Sequence, residues 1–205
     1  MKRTKKPEVI FRSGKEYVPD RLHYDDEVGI TNQFTILTND PSFTAWGWAV
    51  LNNKDHILET GCIKTTPEQK KRRIRTSDDR YRRTVEIIQK LKKIIREYNI
   101  RLILSEVPHG SQNANAAVMI GVVTGVTTTI SECLGIPIEY YSEQDAKKAV
   151  LGKKAATKGD MIEAICKLYE VDLKGIKYID EAVADALAIH YVASKQSQIF
   201  KMMKR

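Results

Sequence analysis

The sequence predicts an α/β fold in which a mixed five-stranded sheet carries helices on its faces. The sheet begins as an antiparallel three-strand meander and continues with parallel strands. Three observations support this. Strand-like apolar runs fill positions 34–64, and a helical period takes over from position 85. Short strand-like runs then alternate with longer helical ones as far as position 194. Turn formers stand at the joints, at Pro41, Asn52-Asn53, Pro108, Gly110 and Gly135.

Each element has its own signal. Residues 34–38 form an apolar strand that Asn39-Asp40-Pro41 stops, because proline has no N–H for a ladder. A second strand at 45–51 turns through Asn52-Asn53-Lys54-Asp55 into a third at 56–64. Val85, Ile88, Leu91, Ile95 and Tyr98 then recur at helical spacing, with Ile87 and Ile94 widening the stripe and basic residues on the opposite face. Residues 101–107 are a strand ended by Pro108 and Gly110, and small apolar residues from 114 to 134 are a helix ended by Gly135. Another strand at 136–141 precedes helices at 145–151 and 157–169, and a last helix spans 180–194. Residues 1–32 hold seven basic and six acidic side chains with little periodicity, and read as a flexible or irregular arm. The expected organisation is that arm, one domain at 33–195 and a basic tail at 196–205.

Composition narrows the function. A chain of 205 residues that is 42% hydrophobic can bury a core. No run approaches the ~18 consecutive apolar residues of a membrane span, and no apolar stretch follows the basic start as a secretory signal requires. Cys62, Cys133 and Cys166 are far apart and odd in number, which argues against a disulfide framework or zinc ribbon and for the reducing cytoplasm. The net charge is +8, and residues 67–99 hold twelve basic against five acidic side chains, or +7 of it. Such a block reads as contact with a polyanion, usually nucleic-acid phosphate, although a solvated helix face carries the same signature.

Three acids stand in unusual places. Asp40 and Glu106 close apolar strands just before prolines, and Asp185 interrupts the apolar run Ala182 to Ile189. A buried carboxylate among alanines is costly unless it is paired or neutralised by a cation. Glu181 lies four residues before Asp185, on the same helix face. Carboxylates converging from strand ends and a helix would make an all-oxygen cluster suited to Mg²⁺ or Mn²⁺, and two such ions can support phosphodiester cleavage. Each acid alone also has a plain structural role: Asp40 as a turn residue, Glu106 in a strand-end salt bridge, Asp180 as a helix cap.

The ordered set of motifs resembles the RuvC-type Holliday-junction resolvases of the ribonuclease H-like superfamily. Ile-Leu-Thr-Asn-Asp-Pro-Ser at 36–42, with Thr-Ala-Trp-Gly-Trp-Ala-Val at 44–50, is similar to their first-strand motif, and Gly61 to Thr65 fits the end of the third strand. Leu104-Ser105-Glu106-Val107-Pro108 resembles the second acidic motif, followed by Gln112 to Ala116 at the next helix start. Residues 146–152 and 156–158 resemble two lysine segments, and Ala184-Asp185-Ala186-Leu187-Ala188 resembles the final acidic helix. The likeness runs in register from about residue 34 to 193.

The resemblance implies a ribonuclease H-like nuclease that resolves four-way DNA junctions as a homodimer, by paired nicks that leave 5′-phosphate and 3′-hydroxyl ends. It implies two Mg²⁺ ions per site, with Mn²⁺ able to substitute. Asp40, Glu106 and Asp185 would hold them, with Glu181 as the fourth ligand. Lys158 would act at the cleavage site, and Lys147, Lys148, Lys158, His109, Gln112, Arg80 and Arg83 would contact DNA. Both Lys147 and Lys158 read equally well as solvated lysines. Gly121 and Gly125 have a spacing that suits close helix pairing, in a dimer or on the sheet. The expected setting is the cytoplasm of a bacterium, or of a host cell if the source is a bacteriophage. Branch-migration or recombination machinery stays open as a partner.

The chain departs from the family pattern in three places. Ser42 replaces the family's glycine, in a turn one residue shorter. The acid usually found three residues before the last aspartate is Ala182, and Glu181 is the nearest substitute. Asp180 would be rotated ~140° from Asp185. His109 stands where relatives often carry a wedging aromatic. Two other readings remain: a less selective branched-DNA or RNA–DNA hybrid nuclease, and a non-catalytic nucleic-acid-binding module of the same fold.

Overall fold

A computed structural model describes residues 34–68, 74–108, 110–153, 157–173 and 175–204. The arm read at 1–32 lies outside these residues, as do His109 and Lys70 to Arg73 of the basic segment.

The strands are β1 (Thr35–Asp40), β2 (Ala45–Asn52), β3 (Ile57–Lys64), β4 (Ile100–Val107) and β5 (Ile138–Ser142). They form one sheet in the order β3-β2-β1-β4-β5. β1–β2 and β2–β3 are antiparallel, whereas β1–β4 and β4–β5 are parallel, so the meander continues into parallel strands as the sequence predicts. The helices are α1 (Thr76–Glu97), α2 (Ala114–Leu134), α3 (Glu143–Leu151), α4 (Lys158–Tyr169), α5 (Lys177–Gln196) and α6 (Gln198–Met203).

The central strands are apolar on both sides, as strands covered on two faces must be. Leu37, Val50 and Ile103 join one core with Ile87, Leu91 and Ile95 of α1 and Val123, Val126 and Ile130 of α2. Their neighbours Ile36, Leu51, Leu102 and Leu104 join a second core with Ile165 of α4, Val183, Leu187 and Ile189 of α5, and Phe200. The two-residue period of the strands then sorts the acids. Asp40 shares the Ile36 face of β1, and Glu106 shares the Leu102 and Leu104 face of β4. Both therefore belong to the side that α5 covers.

α5 lies unusually deep on the sheet. A side-chain carbon on Gly47 would fall 2.0 Å from the carbonyl oxygen of Ala182, so only glycine fits there. Gly47 pairs with Asp40 across the β1–β2 ladder, so the tightest helix–sheet contact sits beside that carboxylate. The Thr38 hydroxyl adds a 2.6 Å hydrogen bond to the Ala186 carbonyl.

Several elements refine the sequence reading. In α1 the buried stripe is Arg83, Ile87, Leu91, Ile94 and Ile95, which places Val85 and Ile88 at its margin. α3 starts at Glu143, because Ser142 caps it by accepting from the Asp145 N–H, and α5 starts at Lys177. The segment read as a basic tail contains α6, anchored by buried Phe200, whose ring meets Phe34 and His190 edge to face. A single phenylalanine among lysines gave no periodic signal. α2 matches its expected bounds, with Asn113 as N-cap and Gly135 closing it at φ 64°. By length and composition α2 could cross a membrane, but Val123, Val126 and Ile130 seat it on the sheet. Only 28% of its most apolar stretch is buried, which leaves an apolar outer face.

Gly47→Ala should force α5 away from β2. Unfolding in urea is expected to show a loss of about 1–3 kcal/mol. A variant as stable as the parent would mean that the close approach carries no constraint.

Candidate active site

Three elements bring three of the predicted acids together. Asp40 is the last residue of β1, and Glu106 is the penultimate residue of β4, its neighbour in the sheet. Asp185 comes from the third turn of α5. The three carboxylates share one electrostatic site. Burial pushes Asp40 up to about 7, Asp185 and Glu143 add to the rise, and Lys158 opposes it. Burial pushes Glu106 up to about 9, with Asp40, Asp185 and Glu143 raising it further against Lys147. Asp185 rises to about 6, again chiefly through burial, while Lys158 and Lys147 pull it down and Glu143 and Glu181 push it up. Carboxylates that raise one another in this way are poised to exchange protons for a cation.

The sequence-predicted lysines are both held by acids. Lys158, the first residue of α4, donates to Glu181 at 2.6 Å, and this bond is the main reason its pKa is raised. Lys147 is paired with Glu143 one turn away on α3. Glu181, expected on the face of Asp185, acts on Asp185 but has its carboxylate occupied by Lys158. Asp180 is buried, and it is not among the principal charges acting on the three central acids. Ala182, three residues before Asp185, is 5% exposed and packs against Gly47 of β2.

The remaining predicted residues divide. Lys148 and Gln112 are exposed, and Arg80 is partly exposed with its guanidinium 3.2 Å from the Asn115 side chain. Arg83 differs from its expected role. It is 7% exposed and donates to the Phe43 carbonyl (3.1 Å) and the Thr65 hydroxyl (2.8 Å), with its guanidinium stacked 4.2 Å from the Phe43 ring. Its place in a basic run hid this, since charge says nothing about burial. Arg83 braces the turn that follows Asp40-Pro41. A cavity of about 590 Å³ opens beside that turn, between Ser42, Phe43, Arg80, Asn115 and Met119. Sequence reasoning also missed Glu143, which acts on all three central acids.

The pattern that matches the crossover junction endodeoxyribonuclease RuvC family extends over residues 36–192, nearly the whole described fold. The chain belongs to the RuvC family. A crossover junction endodeoxyribonuclease RuvC of Protochlamydia amoebophila is 28% identical over 163 residues, covering 78% of this chain and 90% of that one. Its counterpart in Methylococcus capsulatus is 24% identical over 172 residues, covering 83% and 96%. Among solved structures, Thermus thermophilus RuvC in complex with Holliday junction substrate is similar with a TM-score of 0.62 at 17% identity, over 78% of this chain and 93% of that one. The yeast mitochondrial Holliday junction resolvase has a TM-score of 0.56 at 10% identity, over 82% and 79%. These structural likenesses confirm the ribonuclease H-like sheet.

Membership of this family implies dependence on a divalent metal. The donors fit such an ion by their chemistry, being half-buried carboxylates that offer only hard oxygen. As the side chains stand, no group of three or more His, Cys, Asp or Glu among the described residues is in metal-holding geometry. Lys147 and Lys158 meanwhile supply the positive charge at the site.

The raised pKa values fix a sign. Below the unfolded-chain values of 3.8 for aspartate and 4.5 for glutamate, both states are protonated. From there to about 9 the folded chain holds more protons, so its stability falls as pH rises. In EDTA, Asp40→Asn is expected to melt above the parent at pH 8, with the gap narrowing at pH 5. An Asn variant no more stable at pH 8 would contradict the crowding of these charges. Arg83→Met is expected to lower unfolding free energy by about 1–3 kcal/mol, since it strips donors from buried oxygens. Unchanged urea midpoints would remove Arg83 as the brace of the turn.

Proposed function

We propose that the chain resolves four-way DNA junctions as a homodimer, hydrolysing one phosphodiester in each of two opposing strands with Mg²⁺ as cofactor. The observation that carries this reading is the convergence of Asp40, Glu106 and Asp185, three half-buried acids from two adjacent strand ends and one helix. In this reading they hold two Mg²⁺ ions, for which Mn²⁺ can substitute. Such ions lower the pKa of a bound water and offset charge on the oxygens around phosphorus.

The chain's own residues do the rest. Asp40, which acts on Glu106 and is itself acted on by Asp185, would be one of the ligands. Lys158 stays protonated because Glu181 holds it, and its ammonium acts electrostatically on Asp40 and Asp185. It is thereby positioned to hold a non-bridging oxygen of the scissile phosphate. Water attacks phosphorus in line, the bond from phosphorus to the 3′ oxygen breaks, and that oxygen leaves as the 3′-hydroxyl with the phosphate on the 5′ end. Lys147, Lys148, Gln112 and Arg80 ring the site and suit backbone contact, which fixes register without reading sequence.

Two further features support the reading. The apolar outer face of α2 includes Gly121 and Gly125, both open enough that a side-chain carbon would meet nothing within 4 Å. That leaves the paired glycines free for a second copy of the chain rather than committed to the sheet. The free thiols of Cys62, Cys133 and Cys166 suit the reducing cytoplasm, where bacterial DNA resides.

The test is cleavage of labelled four-way junction, Y-fork and plain duplex in Mg²⁺ or EDTA. Junction cutting that needs Mg²⁺ and disappears in Asp40→Asn, with junction binding retained, is the expected result. Junction binding without cutting in Mg²⁺ or Mn²⁺ would leave a binding module, and equal cutting of all three substrates would leave a general nuclease. Affinity should also fall steeply with salt, through release of condensed counterions.

A further inference from the structure

The final acidic helix of this chain lacks an acid three residues before Asp185. Ala182 occupies that position and packs against Gly47 of β2. The nearest acid on that helix, Glu181, is 14% exposed and bound to Lys158. The helix therefore contributes Asp185 alone to the centre of the site.

The other side of the site contributes an acid instead. β5 runs parallel to β4 in a register that sets Tyr141 beside Glu106 and Ser142 beside Val107. The next residue is Glu143, the first of α3, so the ends of three adjacent parallel strands deliver Asp40, Glu106 and Glu143 in turn. Ser142 fixes this corner by capping α3, and Ala146 packs α3 into the core that holds Val183, Ala184 and Leu187 of α5. Glu143 thus lies between the end of β4 and the helix that carries Asp185. The electrostatics agree: Glu143 acts on Asp40, Glu106 and Asp185, whereas Glu181 acts on Asp185 alone and more weakly than Glu143 does.

We propose that Glu143 is the fourth carboxylate of the metal-holding site, and that Lys147 guards it by pairing with it until a divalent cation displaces the ammonium. The proposal rests on the reading that Asp40, Glu106 and Asp185 hold divalent ions. It moves the fourth acid from the last helix to the corner between β5 and α3, and leaves Glu181 as the partner that positions Lys158. Because an acid in the first turn of a helix is also favourable simply as a dipole partner, the test must read metal rather than stability.

Binding of Mn²⁺ alone to the whole chain, followed by the loss of the free-Mn²⁺ electron paramagnetic resonance signal, separates these roles. Glu143→Gln is expected to weaken Mn²⁺ binding about tenfold or more, the scale on which metal-site partners act. Lys147→Met should tighten it, because the competing ammonium is gone. Glu181→Gln should leave Mn²⁺ affinity within about twofold of the parent while slowing junction cleavage through a misplaced Lys158. Junction binding in EDTA, measured by gel shift, should persist in Glu143→Gln and Glu181→Gln, and a parental circular-dichroism spectrum shows that Lys147→Met is folded. Parental Mn²⁺ affinity in Glu143→Gln, or a loss in Glu181→Gln as large as in Glu143→Gln, would overturn the proposal. Parental Mn²⁺ affinity in Asp40→Asn would instead sink the underlying reading of the three central acids.

Discussion

The contact between Gly47 and Ala182 sets the depth at which α5 lies on the sheet, and the site depends on that depth. With no side chain at Gly47, the helix backbone reaches the strand that pairs with β1 beside Asp40. At that distance Asp185, on the next turn, reaches Asp40 and Glu106 closely enough for their charges to act on one another. A helix held farther out by an ordinary side chain would leave Asp185 in solvent and the strand-end acids without their third member.

Crowded carboxylates are a destabilising choice, and the two apolar cores around the sheet offset it. Each acid adjoins firmly buried residues of its own element: Leu37 and Thr38 before Asp40, Leu104 and Ser105 before Glu106, Leu187 and Ala188 after Asp185. The packed interior fixes the backbone, and the acids project from its rim. Two lysines counter the charge locally, each tethered to an acid outside the central three. The arrangement links metal to substrate by simple electrostatics. A DNA phosphate brought to this rim without cations meets more carboxylates than ammonium groups, so metal occupancy and productive phosphate placement must favour each other.

Much of this was legible in the sequence because it rested on local signals. Asp40 and Glu106 end apolar runs before prolines, and the two-residue period places both on one face. Asp185 interrupts a run of alanines. The bounds of α2 follow from Asn113 and Gly135. Glu143 was not legible, since Ser-Glu-Gln-Asp is an ordinary helix start. Only the register of β5 against β4, a pairing between segments more than thirty residues apart, brings it to the site. Arg83 was hidden for a related reason, because its partners Phe43 and Thr65 lie on other elements. α6 was hidden because one buried phenylalanine makes no pattern.

The basic segment acquires a sharper role once the fold is known. Part of its charge is cancelled within α1, where Arg75 pairs with Asp78, Arg82 with Asp79 and Lys90 with Glu86. These are exposed pairs of the kind that add little stability, so their main effect is to thin the positive field along the helix. The beginning of the helix lies elsewhere in this balance. Arg80 joins Asn115 at the start of α2, and both line the cavity beside Pro41 and Ser42. The N-terminal ends of α1 and α2 thus open at the same rim as Asp40, and helix N-termini favour phosphate through their free N–H groups and dipoles. An arm of DNA laid along that rim would find attraction at the two helix starts and repulsion at the carboxylates between strand ends. On the proposed reading, a positive surface that binds many phosphates and a negative notch that accepts one with metal would together confine cutting to a single position on each strand.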